Sequence, residues 1–166
     1  DITVAGGVGI PTFLFGGDGD DRIKGTNAPN IIVGGPGKDN LTGGNARDVI
    51  IGGLGADAIN GGSLDDLLIG GTTDYDDNLE ALCAIMDEWT RTDLAFSDRV
   101  NHLLGPAFGG TAGGMNTPYF LNPSTVHNDG VKDELKGGSG SDCFLVDTVT
   151  AGKDKLADFK NGVDFL

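Results

Sequence analysis

Cysteine, histidine, tryptophan and basic side chains are all scarce in this 166-residue chain, which holds 2 Cys, 2 His, 1 Trp and 11 Lys plus Arg. Cys83 and Cys143 are too few for a disulfide framework and read as two unpaired small hydrophobes. His102 and His127 are the only histidines, and no Cys or His falls at zinc-ligand spacing. Neither H-E-x-x-H nor G-x-S-x-G occurs, so the residues carry no catalytic constellation and any enzyme is expected upstream. No apolar run approaches the ~20 residues of a membrane span. The start, DITVAGG, lacks the layout of a signal peptide, and its strand-like ITV leads to the expectation that the chain is the C-terminal piece of a longer protein. With 25 acids the formal charge is -14, which argues against nucleic acid and anionic lipid surfaces and for cations as partners.

Glycine, in contrast, is abundant, with 30 residues. Composition alone is compatible with a disordered linker, but the pattern is not. Pairs stand at Gly34-Gly35, Gly43-Gly44, Gly52-Gly53, Gly61-Gly62 and Gly70-Gly71, one every nine residues. The units read GGDGDDRIK from Gly16, GTNAPNIIV from Gly25, GGPGKDNLT from Gly34, GGNARDVII from Gly43, GGLGADAIN from Gly52 and GGSLDDLLI from Gly61. The period resumes as NDGVKDELK from Asn128 and GGSGSDCFL from Gly137. Position eight of these units is Ile23, Ile32, Leu41, Ile50, Ile59, Leu68, Leu135 and Phe144, a column that a linker has no reason to keep.

Each unit divides into a glycine-rich six, suited to a turn, and an apolar three, suited to a short strand. Side chains alternate along a strand, so position eight faces inward while seven and nine face out. Two units complete one coil of eighteen residues. The expected fold is therefore mainly β, a right-handed parallel β-roll (a β-helix solenoid). Acids eighteen residues apart stack on one side: Asp21, Asp39 and Asp57 on side one, Asn30, Asp48 and Asp66 on side two. Coils stack about 4.8 Å apart, so unneutralised carboxylates at that spacing repel one another. A hard cation taking six to eight oxygens at roughly 2.3–2.6 Å fits between two such turns, bridged by an Asp from each and completed by backbone carbonyls. Calcium suits a cage built wholly of protein oxygens better than magnesium does.

The nonapeptide resembles the repeats-in-toxin (RTX, hemolysin-type) family, whose signature G-G-x-G-x-D-x-U-x is matched throughout by the units at Gly16, Gly34, Gly52 and Gly137. The resemblance covers roughly residues 6–71 and 124–166. It implies several Ca2+ ions held between stacked turns, export by a signal-peptide-independent (type I) route from a bacterium, and folding triggered by extracellular calcium. The expected metal ligands are Asp21, Asp39, Asp57, Asn30, Asp48, Asp66, Asp133 and Asp142. The turn backbone at Gly17, Gly19, Gly35, Gly37, Gly44, Gly53, Gly55 and Gly62 completes the set. Departures are expected to matter: Pro11 stands at the acidic position of the unit from Gly6, Asn30 replaces a carboxylate, and Ala46 and Leu64 replace the fourth glycine. The pairs Asp21/Asp39, Asp39/Asp57 and Asp48/Asp66 are expected to be the strongest sites. The closing DKLADFKNGVDFL resembles the family's terminal segment through Asp154, Leu156, Asp158, Phe159, Gly162 and Asp164, and is expected to cap the roll.

Residues 72–127 interrupt the period, dividing the chain into 1–71 (roll, first part), 72–127 (insertion) and 128–166 (roll continuation and cap). The insertion reads as an α-helical hairpin. Asp77 with Glu80 forms a capping arrangement, and Leu79, Leu82, Met86 and Trp89 share one helical face. A second helix carries Phe96, Val100, Leu103 and Leu104 and ends at Gly105-Pro106. Taking Ser124–Val126 as the strand of the interrupted unit puts Asp133 beside Asp66 on side two and Asp142 on side one, with the helices leaving from side one beyond Asp57.

The function expected is a calcium-binding module of a secreted protein, unfolded at low calcium and folding outside the cell, monomeric as a domain of a longer chain. The alternative is a binding module for a glycan or cell-surface partner, using Phe108, Tyr119 or Phe120 of the insertion, although core packing is the favoured role for these aromatics.

Overall fold

The computed structural model describes residues 1–4, 9–146 and 153–158. Strand segments follow the nonapeptide apolar triplets and assemble into two sheets of parallel strands. One sheet, here the open sheet, stacks Ile2–Thr3, Arg22–Lys24, Asn40–Gly44, Ala58–Ser63, Glu134–Ser139 and Lys155–Leu156. The other, the covered sheet, stacks Thr12–Phe15, Asn30–Pro36, Val49–Leu54, Leu67–Ile69 and Cys143–Leu145. Successive units alternate between the sheets, and neighbours within a sheet are in the eighteen-residue register: Ile23 faces Leu41, which faces Ile59, and Ile32 faces Ile50, which faces Leu68. The architecture is mainly β with parallel strands and two short helices, consistent with a β-roll.

The position-eight column is the shared core of the two sheets. Ile23, Ile32, Leu41, Ile50, Ile59, Leu68, Leu135 and Phe144 all lie in one buried cluster, joined by Leu14 and Val146. Burial of each such side chain stabilises by roughly 1.5–3 kcal/mol. The outward positions differ between sheets. On the open sheet they are polar or small, as at Arg22, Lys24, Asn40 and Asn60, whereas on the covered sheet Ile31, Val33, Val49, Ile51, Leu67 and Ile69 are aliphatic and buried.

The segment between Thr72–Thr73 and Val126–His127, two short strands that pair antiparallel, supplies the cover. Its helices α1 (Leu79–Trp89) and α2 (Phe96–Leu104) bury Leu82, Ile85, Met86, Trp89, Val100, Leu103 and Leu104 against those aliphatic residues. Asn78, not Asp77, caps α1, its side chain accepting from the Ala81 N–H. Leu79 is exposed, so the buried face runs through Ala81, Leu82 and Ile85 instead. The second helix starts at Phe96 and ends at Gly105 (φ 73), where a left-handed residue is required. Cys83 and Cys143 are both free, and burial pushes the Cys143 thiol up to about 12.

Asp65 ties the helices to the repeats. Its carboxylate receives Arg99 Nη2 at 2.5 Å and the Ser141 N–H at 3.0 Å, and its carbonyl accepts the Trp89 indole N–H at 3.0 Å. Burial raises the Asp65 carboxyl, but the Ser141 N–H, Arg99 and Arg47 outweigh it and hold the group below the usual carboxylate range. Arg99 is itself buried, donates to the Trp89 carbonyl at 2.7 Å and lies over the Trp89 ring at 4.8 Å. Removing one partner of such a pair strands the other charge. Asp65→Asn is therefore expected to cost about 3 kcal/mol, read as a lowered urea midpoint of Trp89 fluorescence.

The register of the interruption differs from the sequence-based expectation. The Asp57 N–H donates to Asp133 and the Asp66 N–H to Asp142, each across 76 residues, so Asp133 continues side one and Asp142 side two. The reason is that Val126–His127 pairs with Thr72–Thr73 rather than joining either parallel sheet. No strand of the coil is consumed, and the interruption lies wholly inside one turn, the one stacked on that of Asp57. There Asp129 accepts the Gly55 N–H at 2.6 Å, a donor that in the preceding coils goes to a backbone carbonyl, as Gly37 to Leu54.

Candidate metal centre

The ladder carboxylates are each fixed through one oxygen. Oδ1 of Asp39 accepts the Asp21 N–H at 2.7 Å, Oδ1 of Asp57 that of Asp39 at 2.8 Å, and Oδ1 of Asp133 that of Asp57 at 2.8 Å. On side two Asp48 accepts from Asn30 at 2.7 Å, Asp66 from Asp48 at 2.8 Å, and Asp142 from Asp66 at 2.9 Å. The ladder is a consequence of the register: each acid receives the amide of the residue one coil before it.

For four of these acids the second oxygen has no such partner. Oδ2 of Asp39, Asp48, Asp57 and Asp66 is buried without a hydrogen bond. A stranded carboxylate oxygen carries a desolvation cost that a native fold does not normally leave uncompensated. The surroundings of these atoms are also oxygen-rich. A Cβ on Gly34 would run into both Asp39 Oδ2 and the Gly52 carbonyl oxygen of the next coil, and one on Gly43 into Asp48 Oδ2 and the Gly61 carbonyl oxygen. The missing side chain thus leaves a small cradle between a carboxylate oxygen and a carbonyl oxygen of successive coils. Among the described residues no three His, Cys, Asp or Glu side chains gather as a metal-ligating group, so a cation there must draw on backbone carbonyls. That donor set, hard oxygens with one or two carboxylates, fits calcium.

The electrostatics agree. Burial pushes Asp48 and Asp57 up to about 7, Asp133 to about 8 and Asp66 to about 9, and also raises Asp39. The amide donors lower these values, but burial prevails. At neutral pH Asp48, Asp57, Asp66 and Asp133 are therefore partly protonated unless a positive charge stands beside them.

Asn30 behaves differently from its neighbours. Its Nδ2 donates to the Ala28 carbonyl and to Asp48 Oδ1, both at 2.7 Å, while its Oδ1 accepts from Thr26 and Thr12. Its amide already supplies the donors that elsewhere are missing, and the unit from Gly25 closes without a free side-chain oxygen. Of the turn glycines, Gly17, Gly19, Gly35, Gly37, Gly53, Gly55 and Gly62 have positive φ, whereas Gly44 does not. Leu64 takes φ 73 at a position where Gly19, Gly37, Gly55 and Gly140 stand in other units, a strain of about 1–2 kcal/mol in a non-glycine residue. Ala46, at the corresponding position of its unit, is not among the positive-φ residues.

The side-one ladder runs further than the repeats. Asp154 Oδ1 accepts the Asp133 N–H at 3.0 Å; Asp158, outside that ladder, accepts from Gly137 and Gly138 of the Asp142 unit at 2.8 and 2.9 Å. These two acids belong to the closing segment; Phe159, Gly162 and Asp164 lie outside the described residues. The histidines form no joint site: His102 Nδ1 pairs with buried Glu88 at 2.6 Å and His127 with exposed Asp74 at 2.7 Å.

Turns in the eighteen-residue register that set unpartnered carboxylate oxygens beside carbonyl oxygens form a donor set suited to calcium. Residues 15–50 and 33–68 match the RTX calcium-binding nonapeptide repeat, in four copies. These repeats bind Ca2+, several ions to an array. No curated protein and no solved structure matches the chain.

Proposed function

We propose that the chain is a non-enzymatic, calcium-dependent folding module of a secreted bacterial protein. In this reading residues 1–71 and 128–166 form one right-handed β-roll and 72–127 a helical insertion on it. The observation that carries the reading is the set of buried, unpartnered Oδ2 atoms of Asp39, Asp48, Asp57 and Asp66. Those residues, with Asp21, Asp133 and Asp142 and the turn carbonyls, would hold the ions. Calcium supplies the positive charge that lets the acids stay ionised while buried. Because the folded chain binds the ions and the open chain does not, stability grows as RT ln(1 + [Ca]/Kd) for each independent site. At low intracellular calcium the acidic chain stays open and exportable; outside, neutralisation of the ladders permits collapse around the Ile and Leu column.

Asp57→Asn tests this by a change of sign. Asn keeps the Oδ1 acceptor for the Asp39 N–H but removes the charge. At pH 8 in EGTA the substitution is expected to increase the residual β-signal in circular dichroism, since it deletes a buried anion; in saturating calcium it is expected to lower the urea midpoint, since it deletes a ligand. Destabilisation under both conditions would contradict the reading. Of the aromatics named for the glycan-binding alternative, Phe108 is exposed rather than packed in the core, whereas Phe120 is partly buried and Tyr119, also partly buried, packs edge to face on Tyr75 at 5.6 Å.

A further inference from the structure

Away from the ladder acids, a recess of about 380 Å³ lies where the side-one turns meet the start of the 72–127 segment. Its floor is a strip of backbone at Gly17, Gly35 and Gly53 together with buried Val33. Phe15, Pro36 and Leu54 form apolar walls, and all three are exposed. Phe15 and Leu54 retain 39% and 49% of their surface, unusual for apolar residues in a concave site. The charged groups lining it are Asp18, Asp76 and Asp77; no Lys, Arg or His contributes. Asp76 is engaged by Thr73, but Asp18 and Asp77 make no hydrogen bond or ion pair among the described residues. None of the ladder acids lines the recess.

A recess with acid on its rim and an aromatic and two aliphatic walls complements a cation that carries its own apolar surface. A bare metal ion fits poorly: it seeks six or more oxygens, and these acids do not converge as a ligating group. A lysine or arginine side chain satisfies both requirements. Its methylene stem covers Leu54 and Pro36 while its head lies over the Phe15 ring and between the carboxylates. We propose that this recess binds a lysine or arginine side chain presented by an extended segment of a partner polypeptide. This goes beyond the calcium reading and needs only that the coils be folded.

The test is a titration of the calcium-saturated full chain, followed by amide chemical shifts, with blocked Gly-Arg-Gly and Gly-Lys-Gly peptides. Saturable shifts confined to Phe15, Gly17, Gly35, Leu54 and Thr72 are expected, with none from blocked Gly-Glu-Gly. Phe15→Ala is expected to weaken binding about three- to tenfold, and Asp18→Asn with Asp77→Asn to weaken it and flatten its salt dependence. Circular dichroism and the calcium midpoint of these variants, expected to match the parent, separate loss of this site from loss of the fold. Absence of saturable shifts, equal shifts from Gly-Glu-Gly, or the same shifts from magnesium chloride would overturn the site. Butylguanidine binding as tightly as Gly-Arg-Gly would overturn the polypeptide source.

Discussion

Gly34→Ala is expected to lose about 3 kcal/mol or more, a large part of the ~5–15 kcal/mol that holds a folded domain together. The added methyl points into the cradle between Asp39 Oδ2 and the Gly52 carbonyl oxygen, and one of those two neighbours is backbone and cannot step aside. The loss is therefore expected in stability and in calcium affinity together. Gly19→Ala is the control: it has positive φ, 108, but nothing stands near its missing Cβ. Its cost is limited to the conformational penalty of about 1–2 kcal/mol, and the calcium midpoint should shift only by that amount. Urea unfolding at fixed calcium measures both, and equal losses in the two variants would contradict the cradle.

Acid is expected to substitute in part for calcium. In the calcium-free chain Asp48 and Asp57 titrate at about 7, Asp133 at about 8 and Asp66 at about 9 when folded, against 3.8 as the reference value. A raised folded value means that the folded chain binds more protons than the unfolded one between those limits. Stability is thus fully present below about pH 4 and is lost as pH rises through 7 to 9. For Asp48 alone the shift corresponds to on the order of 4 kcal/mol at alkaline pH, and several such acids approach the ~5–15 kcal/mol net stability of a domain. Calcium-depleted protein is expected to gain β-structure on acidification from pH 8 to 4.5, whereas at limiting calcium the ions should be displaced by protons over the same range. Further loss of structure on acidification of the depleted protein would contradict this.

The strand register and the core were legible in the sequence because the repeat is short and strict. A period of nine with an aliphatic eighth position admits one pairing, and Ile23, Ile32, Leu41, Ile50 and Ile59 all occupy it. The acids were legible for the same reason. The register across the interruption was not, since nothing local distinguishes Ser124–Val126 as a coil strand from Val126–His127 as one arm of an antiparallel pair; only pairing with Thr72–Thr73 decides it. A signal was nevertheless present for what the helices cover. Ile31, Val33, Val49, Ile51, Leu67 and Ile69 occupy outward positions where the alternate units carry Arg22, Lys24, Asn40 and Asn60, and so many apolar outward residues demand a partner. Asn30 was read as a weaker oxygen ligand, but its amide has donors as well as an acceptor, and the turn of Thr26 and Ala28 uses both. Asp65, adjacent to Asp66 and outside the sixth position, carries no periodic mark, and its link to Arg99 spans sequence-distant segments.

The most direct test of the central claim is far-UV circular dichroism of the chain at pH 8 during a calcium titration, with a magnesium control and reversal by EGTA. Ladders of buried carboxylate oxygens that need a cation predict a cooperative, calcium-selective gain of β-signal that EGTA abolishes. The same β-signal in EGTA, unchanged by calcium, would show that the coils stand without the ions and would contradict the account.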